Sequence, residues 1–263
     1  MSELTSLLNV SVLENIDTLI GKAIHRDDVM FGEKTTEDMY FKVGQGAAML
    51  ILQASLARFG VVGGTPGVAR ILDFGCGYGR VTRYIAALYP DSKIVASDVL
   101  KDGVDFCCET FGCTAHYSAA TIEAIQFDEQ FDLIFVGSVF THIDERRAVL
   151  LLDLLASSLT NDGILIFTTH GRKMVNNVVH GKQHNAMKDK TLVCLKDYMN
   201  RGYGYADYKK KYYDDPVGYG TSLTDPSWIF NRISEREQIT LLSFQERAWN
   251  DHQDVTMIIR RPL

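Results

Sequence analysis

From Val68 onward, short apolar runs alternate with segments of helical period. "ARILDF" has the pattern of a buried strand, "GRVTRYIAALY" of a helix, "KIVASD" of a strand, "GVDFCCETF" of a helix, and "TAHYS" and "FDLIFVGS" of two further strands. "RRAVLLLDLLASSL" has the wide apolar face of a packed helix, "TNDG" reads as the turn that closes it, and "GILIFTT" follows as a strand. Strands alternating with helices predict a parallel sheet in a doubly wound α/β layer.

The flanks carry other periods. Residues 4–24 place Leu4, Leu7, Leu8, Val12, Ile16, Leu19, Ile20 and Ala23 at helical spacing, so an amphipathic helix either caps the main domain or faces a partner. A second helical pattern spans Gly46–Phe59 and is broken by "GVVGGTPG". After Thr169 the alternation stops. Residues 170–226 are polar, tyrosine-rich and punctuated by glycine; a bare loop of that length is unusual, so an inserted lid is expected, with helix near Asn185–Asn200. A helix near Ser227–Ser234 and two strands, "ITLLSFQERAW" and "DVTMIIRR", joined at "NDHQ", predict a closing antiparallel hairpin. The divisions are 1–60 helical cap, 61–169 core, 170–226 lid, and 227–263 last helix and hairpin.

Bulk composition narrows the classes. With 263 residues and 46% hydrophobic positions, one large core can be filled. The formal charge of −6 lacks the basic footprint of a nucleic-acid binder, so no nucleic-acid partner is expected. No run reaches the roughly 18 apolar residues of a membrane span, and the N-terminus lacks the basic start of a signal peptide. Cys76, Cys107, Cys108, Cys113 and Cys194 show no paired Cys-x-x-Cys spacing, which favours reduced thiols in a cytoplasmic protein and no structural metal.

The densest chemistry lies in "LDFGCGYGR". A strand–glycine–helix unit brings backbone N–H groups to the carboxyl edge of a sheet, where ligands of open α/β folds bind. The order is Asp73-x-Gly75-x-Gly77-x-Gly79, with the third glycine one place early for the dinucleotide fingerprint. Arg80 and Val81 stand where a triphosphate loop needs lysine and a hydroxyl residue. Asp73 would repel a pyrophosphate and suits a ligand with a cationic amino group.

This motif resembles the cofactor turn of the class I S-adenosylmethionine-dependent methyltransferases, and the likeness extends over about residues 68–170. The resemblance implies a Rossmann-like fold and S-adenosylmethionine as cofactor, with S-adenosylhomocysteine as product. It places the methionine part over Gly75, Cys76, Gly77 and Gly79, with Asp73 meeting the amino group. "IVASDV" supplies Asp98 for the ribose hydroxyls and Val99 beside the adenine. The acid that often follows the third strand is missing; Ser118 and Ala119 stand there. "FDLIFVGSVFTHI" takes the fourth-motif position, with Gly137 and Ser138 at its turn. Upstream, Tyr40 and Lys42 of "MYFKVGQG" either contact the cofactor carboxylate or, for Tyr40, pack as apolar surface.

A hydroxyl acceptor must lose its proton, and histidine is the natural base near neutral pH. Of seven histidines, three fall at carboxyl edges: His142 in "GSVFTHID", His170 in "FTTHG" and His252 in "WNDHQD". His142 alternatively caps the next helix or bonds backbone; His170 and His252 are equally open to structural roles. The other four, His25, His116, His180 and His184, fit surface or core positions. Trp249, Gln253, Asp254 and the lid's Tyr219 are candidates to line the acceptor pocket. "KKKYY" at 209–213 fits a solvated helical face. Gly137-Ser138-Val139-Phe140 stands where amino-methylating DNA enzymes have Asn/Asp-Pro-Pro-aromatic, and the carboxylates of a metal-dependent catechol site are missing.

The tail "YGTSLTDPSWIF…RAWNDHQDV" resembles a group of bacterial methyltransferases loosely associated with surface-glycan biosynthesis. The expectation is O-methylation of a sugar hydroxyl or similar small polar acceptor. A natural-product or protein-side-chain methyltransferase, and a regulator that only binds the cofactor or its product, remain alternatives. A nicotinamide-dependent dehydrogenase conflicts with Asp73 and the glycine spacing.

Overall fold

The run ahead of the glycine turn becomes strand β1, Arg70–Phe74, with Ile71, Leu72, Asp73 and Phe74 buried in succession. Continuous burial is what a strand inside a covered parallel sheet requires. The computed structural model describes residues 16–62, 65–181, 190–208 and 218–262.

Helix α1, Glu37–Phe59, starts at Thr36, whose side chain accepts from the Met39 amide at 3.2 Å. The sequence pattern predicts a start only at Gly46, because Gly44 and Gly46 interrupt the apolar period there. Of the N-terminal helix expected over 4–24, residues 16–19 are helical, with Ile16 and Ile20 buried. Ala23 lies beyond it, and Leu4, Leu7, Leu8 and Val12 are outside the described residues. A two-residue ladder, Val61–Val62 with Thr65–Pro66, follows α1.

Next come α2 (Thr82–Leu88), β2 (Lys93–Asp98), α3 (Lys101–Phe111), β3 (Thr114–Tyr117), β4 (Phe131–Val136), α4 (Glu145–Ser157) and β5 (Leu159–Thr169). "TNDG" is not a separate turn: it lies inside β5 as an irregularity, where pairing shifts from Phe131↔Leu159 to Leu133↔Ile164 and Asp162 takes φ 67°. The insert contributes α5 (Arg172–Val179), α6 (Thr191–Arg201), β6 (Tyr203–Asp207) and β7 (Gly220–Thr224). Its helix begins at Thr191; residues 185–189, His184 and the 209–213 stretch are outside the described residues. The antiparallel β6–β7 ladder escapes the sequence pattern, since tyrosine and glycine carry no clean alternation there. Helix α7 (Pro226–Ser234) and strands β8 (Ile239–Trp249) and β9 (Gln253–Arg260) close the fold.

The seven-stranded sheet has the order β8-β9-β5-β4-β1-β2-β3. β1, β2 and β3 pair in parallel, as do β4 and β5, while β9 is antiparallel to both β5 and β8. The mostly parallel sheet with a terminal hairpin matches the expected fold class. By its contacts the chain divides into two compact units, 1–117 and 118–263. In the first, Ile71, Leu72, Tyr84 and Ile85 are fully buried. In the second, Leu133, Leu151, Leu155, Ile164 and Ile258 form the core beside the sheet. Each such aliphatic side chain contributes roughly 1.5–3 kcal/mol by leaving water. The insert has its own small core of Met174, Val178, Cys194, Ala206 and Leu223. Among the described residues no helix is long and apolar enough to cross a membrane.

Candidate functional site

In the first unit, the turn after β1 has positive φ at Gly75, Gly77 and Gly79, of 83°, 51° and 77°. That backbone is strained for any residue with a Cβ, which accounts for glycine at alternate positions. The turn does not work as the sequence motif suggests. Its amides are already engaged: Gly75 and Cys76 donate to the Ser97 carbonyl at 2.7 and 3.1 Å, and Gly79 donates to the Cys76 carbonyl at 3.0 Å. Gly77 donates to Asp98 Oδ2 at 2.8 Å. A phosphate cradle needs such amides free, so the turn offers a ligand a flat surface without Cβ atoms. The Cys76 thiol is buried with its pKa pushed well up by its bond to Cys107 and by burial, so it acts as packing.

Two carboxylates end neighbouring strands. Asp73 is almost wholly buried and accepts from Thr82 Oγ1 at 2.6 Å; burial pushes its pKa up to about 7 against that bond. A buried carboxylate whose charge is this costly is a place where a cation is strongly favoured. Asp98 accepts from Gly77 through Oδ2 and from the Leu100 amide through Oδ1 at 2.9 Å. The Val99 amide also bonds this carboxylate, and of its roughly four acceptor positions one is left for a ligand hydroxyl. Val99 beside it is 42% exposed, an apolar side chain open to a ligand. Tyr117 pairs with Asp98, and the next residue, Ser118, has a buried hydroxyl with no hydrogen-bond partner among the described residues; Ala119 follows it. Within this unit, the buried Asp73 carboxyl fits a ligand with an ammonium group, and Asp98 one with hydroxyls.

Two expectations in this unit need correction. Tyr40 is fully buried, and its hydroxyl donates to Asp28 Oδ2 at 2.6 Å. It packs inside instead of reaching a ligand. Lys42 is on the solvent face of α1 and pairs with Asp38 at 2.9 Å. The group that sequence reasoning misses is Arg80. Its guanidinium lies 5.9 Å from the Tyr40 ring centroid, no ion pair holds it among the described residues, and burial lowers its pKa. The signal was its place directly after the third glycine. Arg83 ties down the N-terminal segment, donating to the Gly21 and Ala23 carbonyls at 2.8 and 2.9 Å.

In the second unit, the three histidines singled out by topology come together. The His142 and His170 ring centroids are 6.1 Å apart, and those of His170 and His252 are 5.1 Å apart. His142 does not cap α4; Asp144 does, accepting from the Arg147 amide at 3.0 Å. His142 Nδ1 donates to the Gly220 carbonyl at 2.7 Å, and His170 Nδ1 to that of Ser222 at 3.2 Å. Burial pulls His142 down to about 4 and, with repulsion from His142 and His252, holds His170 well below the usual histidine range. His252 is lowered by burial and by Lys173. All three are neutral imidazoles at pH 7. Tyr219 joins them, stacked on His142 at 4.6 Å. Of the other histidines, His116 bonds Ser97 Oγ at 2.9 Å, His25 stacks on Tyr78 at 4.6 Å and His180 is exposed.

The rest of the hairpin turn supports this cluster without lining a pocket, correcting three expected acceptor contacts. Trp249 is buried edge-on against Phe135 at 5.9 Å and packs beneath Gly137. Gln253 closes a ring of hydrogen bonds: Ser138 N donates to Thr168 Oγ1 (2.9 Å), Thr168 donates to Gln253 Oε1 (2.5 Å), and Gln253 Nε2 donates to Ser138 Oγ (2.7 Å). The ring holds Ser138 at φ 61°, so Gly137 and Ser138 serve this packing in their own unit. Asp254 is buried and accepts from the Arg247 amide at 2.9 Å. A Cβ at Gly171 would sit 1.8 Å from Asp254 Oδ2, so a side chain beside His170 would require Asp254 to move. Among the described residues no group of three or more His, Cys, Asp or Glu side chains forms a metal-binding set.

Residues 71–163 match a family model described as a methyltransferase domain. A malonyl-[acyl-carrier protein] O-methyltransferase of Acetivibrio thermocellus is 28% identical over 102 residues, which is 38% of this chain and 35% of that protein. One from Bacillus cereus is 26% identical over 178 residues, 64% of this chain and 62% of that protein. The chain thus matches between about a third and three fifths of the length of these relatives. A solved structure, the N-methyltransferase NodS from Bradyrhizobium japonicum with S-adenosylhomocysteine, superposes with a TM-score of 0.53 at 14% identity, covering 96% of this chain and 99% of that one.

Proposed function

We propose that this chain, whose fold is that of the class I S-adenosylmethionine-dependent methyltransferases, catalyses methyl transfer to an oxygen of a small polar acceptor, with a sugar hydroxyl as the leading case. The observation that carries the reading is the pair of carboxylates, Asp73 and Asp98, ending neighbouring strands beside a glycine turn whose amides are already bonded. The bound cofactor supplies an activated methyl group on a sulfonium. Asp73 receives the ammonium, Arg80 the carboxylate and Asp98 the ribose hydroxyls. Val99 lies along the adenine, and the Ser118 hydroxyl or Ala119 amide meets its edge. On the acceptor side, His252 takes the hydroxyl proton, because it is the least deeply buried of three neutral imidazoles and both its ring nitrogens are without partners among the described residues. A second reading, methylation of a carrier-bound acyl group, rests on the names of the relatives.

Isothermal titration with S-adenosylhomocysteine tests the proposal. Wild type is expected to bind, and Asp98→Ala to bind at least about tenfold more weakly, since hydrogen bonds to a charged group are each worth roughly 1.5–3 kcal/mol. No binding by the wild-type protein rejects the reading.

A further inference from the structure

The histidine cluster has a polarity, and it restricts what can bind there. Gly220 and Ser222 stand two residues apart on β7, so their carbonyls leave the same edge of the strand. Each accepts from an imidazole Nδ1, at 2.7 Å for His142 and 3.2 Å for His170. A carbonyl can only accept, so the ring protons of the neutral imidazoles are on Nδ1 and each Nε2 presents a bare lone pair. Neither Nε2 has a hydrogen-bond partner among the described residues. Burial keeps both rings neutral, so neither gains a second N–H near pH 7. With centroids 6.1 and 5.1 Å apart, the rings form a short row of neighbouring acceptors.

A carboxylate placed there would set lone pairs against lone pairs. Arg172 donates to Glu246 and Arg247 to Asp251, so neither guanidinium is spare. The charge of Lys173 bears on both His252 and Asp251, and Asp254, close by, is an acid. The imidazole row itself therefore suits a ligand that brings hydrogen-bond donors.

Resting on the methyltransferase reading above, we propose that the acceptor is a neutral molecule with neighbouring hydroxyl groups, one methylated while the next donates to an adjacent imidazole. In the step, the acceptor oxygen bonds to the methyl carbon as the carbon–sulfur bond breaks, and that bonding pair stays on sulfur. The hydroxyl proton goes to an imidazole nitrogen and then to solvent. The second hydroxyl keeps its proton and fixes which oxygen reacts.

The test reads the imidazoles directly. Protein labelled with ¹⁵N-histidine is titrated at pH 7 with methyl glycosides of glucose, galactose, mannose and rhamnose, with cyclohexanol, and with malonate. At least one glycoside is expected to shift the Nε2 resonances of two of the three clustered histidines, with an affinity at least tenfold above those of cyclohexanol and malonate. The proposal is overturned if malonate or cyclohexanol shifts them as strongly, or if no glycoside does. The measurement is made on the protein alone as well as with S-adenosylhomocysteine, and cofactor binding is scored separately by calorimetry. A protein that binds the cofactor yet prefers malonate keeps methyl transfer and loses this inference; one that binds glycosides but no cofactor loses both, and the row is then a glycoside site without methyl transfer.

Discussion

His252 is the least constrained imidazole of its row, while His142 and His170 are fixed through Nδ1. A base must gain and lose a proton in every turnover, and deep burial opposes that in the two fixed rings. His252→Ala is expected to lower kcat on the order of a hundredfold, within the usual range for a lost general base, with S-adenosylhomocysteine affinity unchanged. Steady-state rates beside calorimetry check both halves. At this scale the sequence was informative where topology fixed a residue's place. Three histidines predicted from strand ends lie within one cluster, and Asp73 and Asp98 end their strands side by side. It was uninformative where rotamer and burial decide. Tyr40, Lys42 and Trp249 have the right chemistry for contact, but one faces Asp28, one faces solvent and one fills the core.

At the scale of elements, the turn between β8 and β9 aligns two loops at once. Gln253 bonds the loop that leads to His142, and Asp254 packs on Gly171 beside His170. Gln253→Leu leaves the Ser138 and Thr168 hydroxyls short of a buried partner, each lost bond costing about 1–3 kcal/mol. Thermal denaturation should show that loss, and kcat should fall further than cofactor affinity, because His142 loses its registered loop. The hairpin was legible in the sequence because "ITLLSFQERAW" and "DVTMIIRR" each alternate over a full strand length. The β6–β7 ladder was not: its strands are set by bonding to β7's neighbours, with Gly220, Ser222 and Thr224 donating to the carbonyls of His142, Thr141 and His170. Such pairing is tertiary and leaves little periodic trace.

Over the whole molecule, the two units titrate in opposite senses. In 118–263, His142 and His170 are held neutral. Between about pH 6.5 and 4 the unfolded chain binds protons at these sites and the folded chain does not, so their contribution is complete above about pH 6.5 and is lost as pH falls, about 3 kcal/mol for His142. In 1–117, Asp73 stays protonated when folded up to about pH 7, so its contribution is complete below the ordinary carboxylate range and is lost as pH rises through 7. Melting curves from pH 4 to 8 should fall off on the acid side, and His142→Gln should flatten that limb. The bonds of β7 have a further consequence for traffic. Because this strand shares its backbone amides with the histidine-bearing segments, lifting it to admit an acceptor would scatter the imidazoles that receive it. Molecules must therefore come and go by another route while the strand stays docked. The amide protons of Gly220, Ser222 and Thr224 should then exchange with solvent no faster during turnover than at rest.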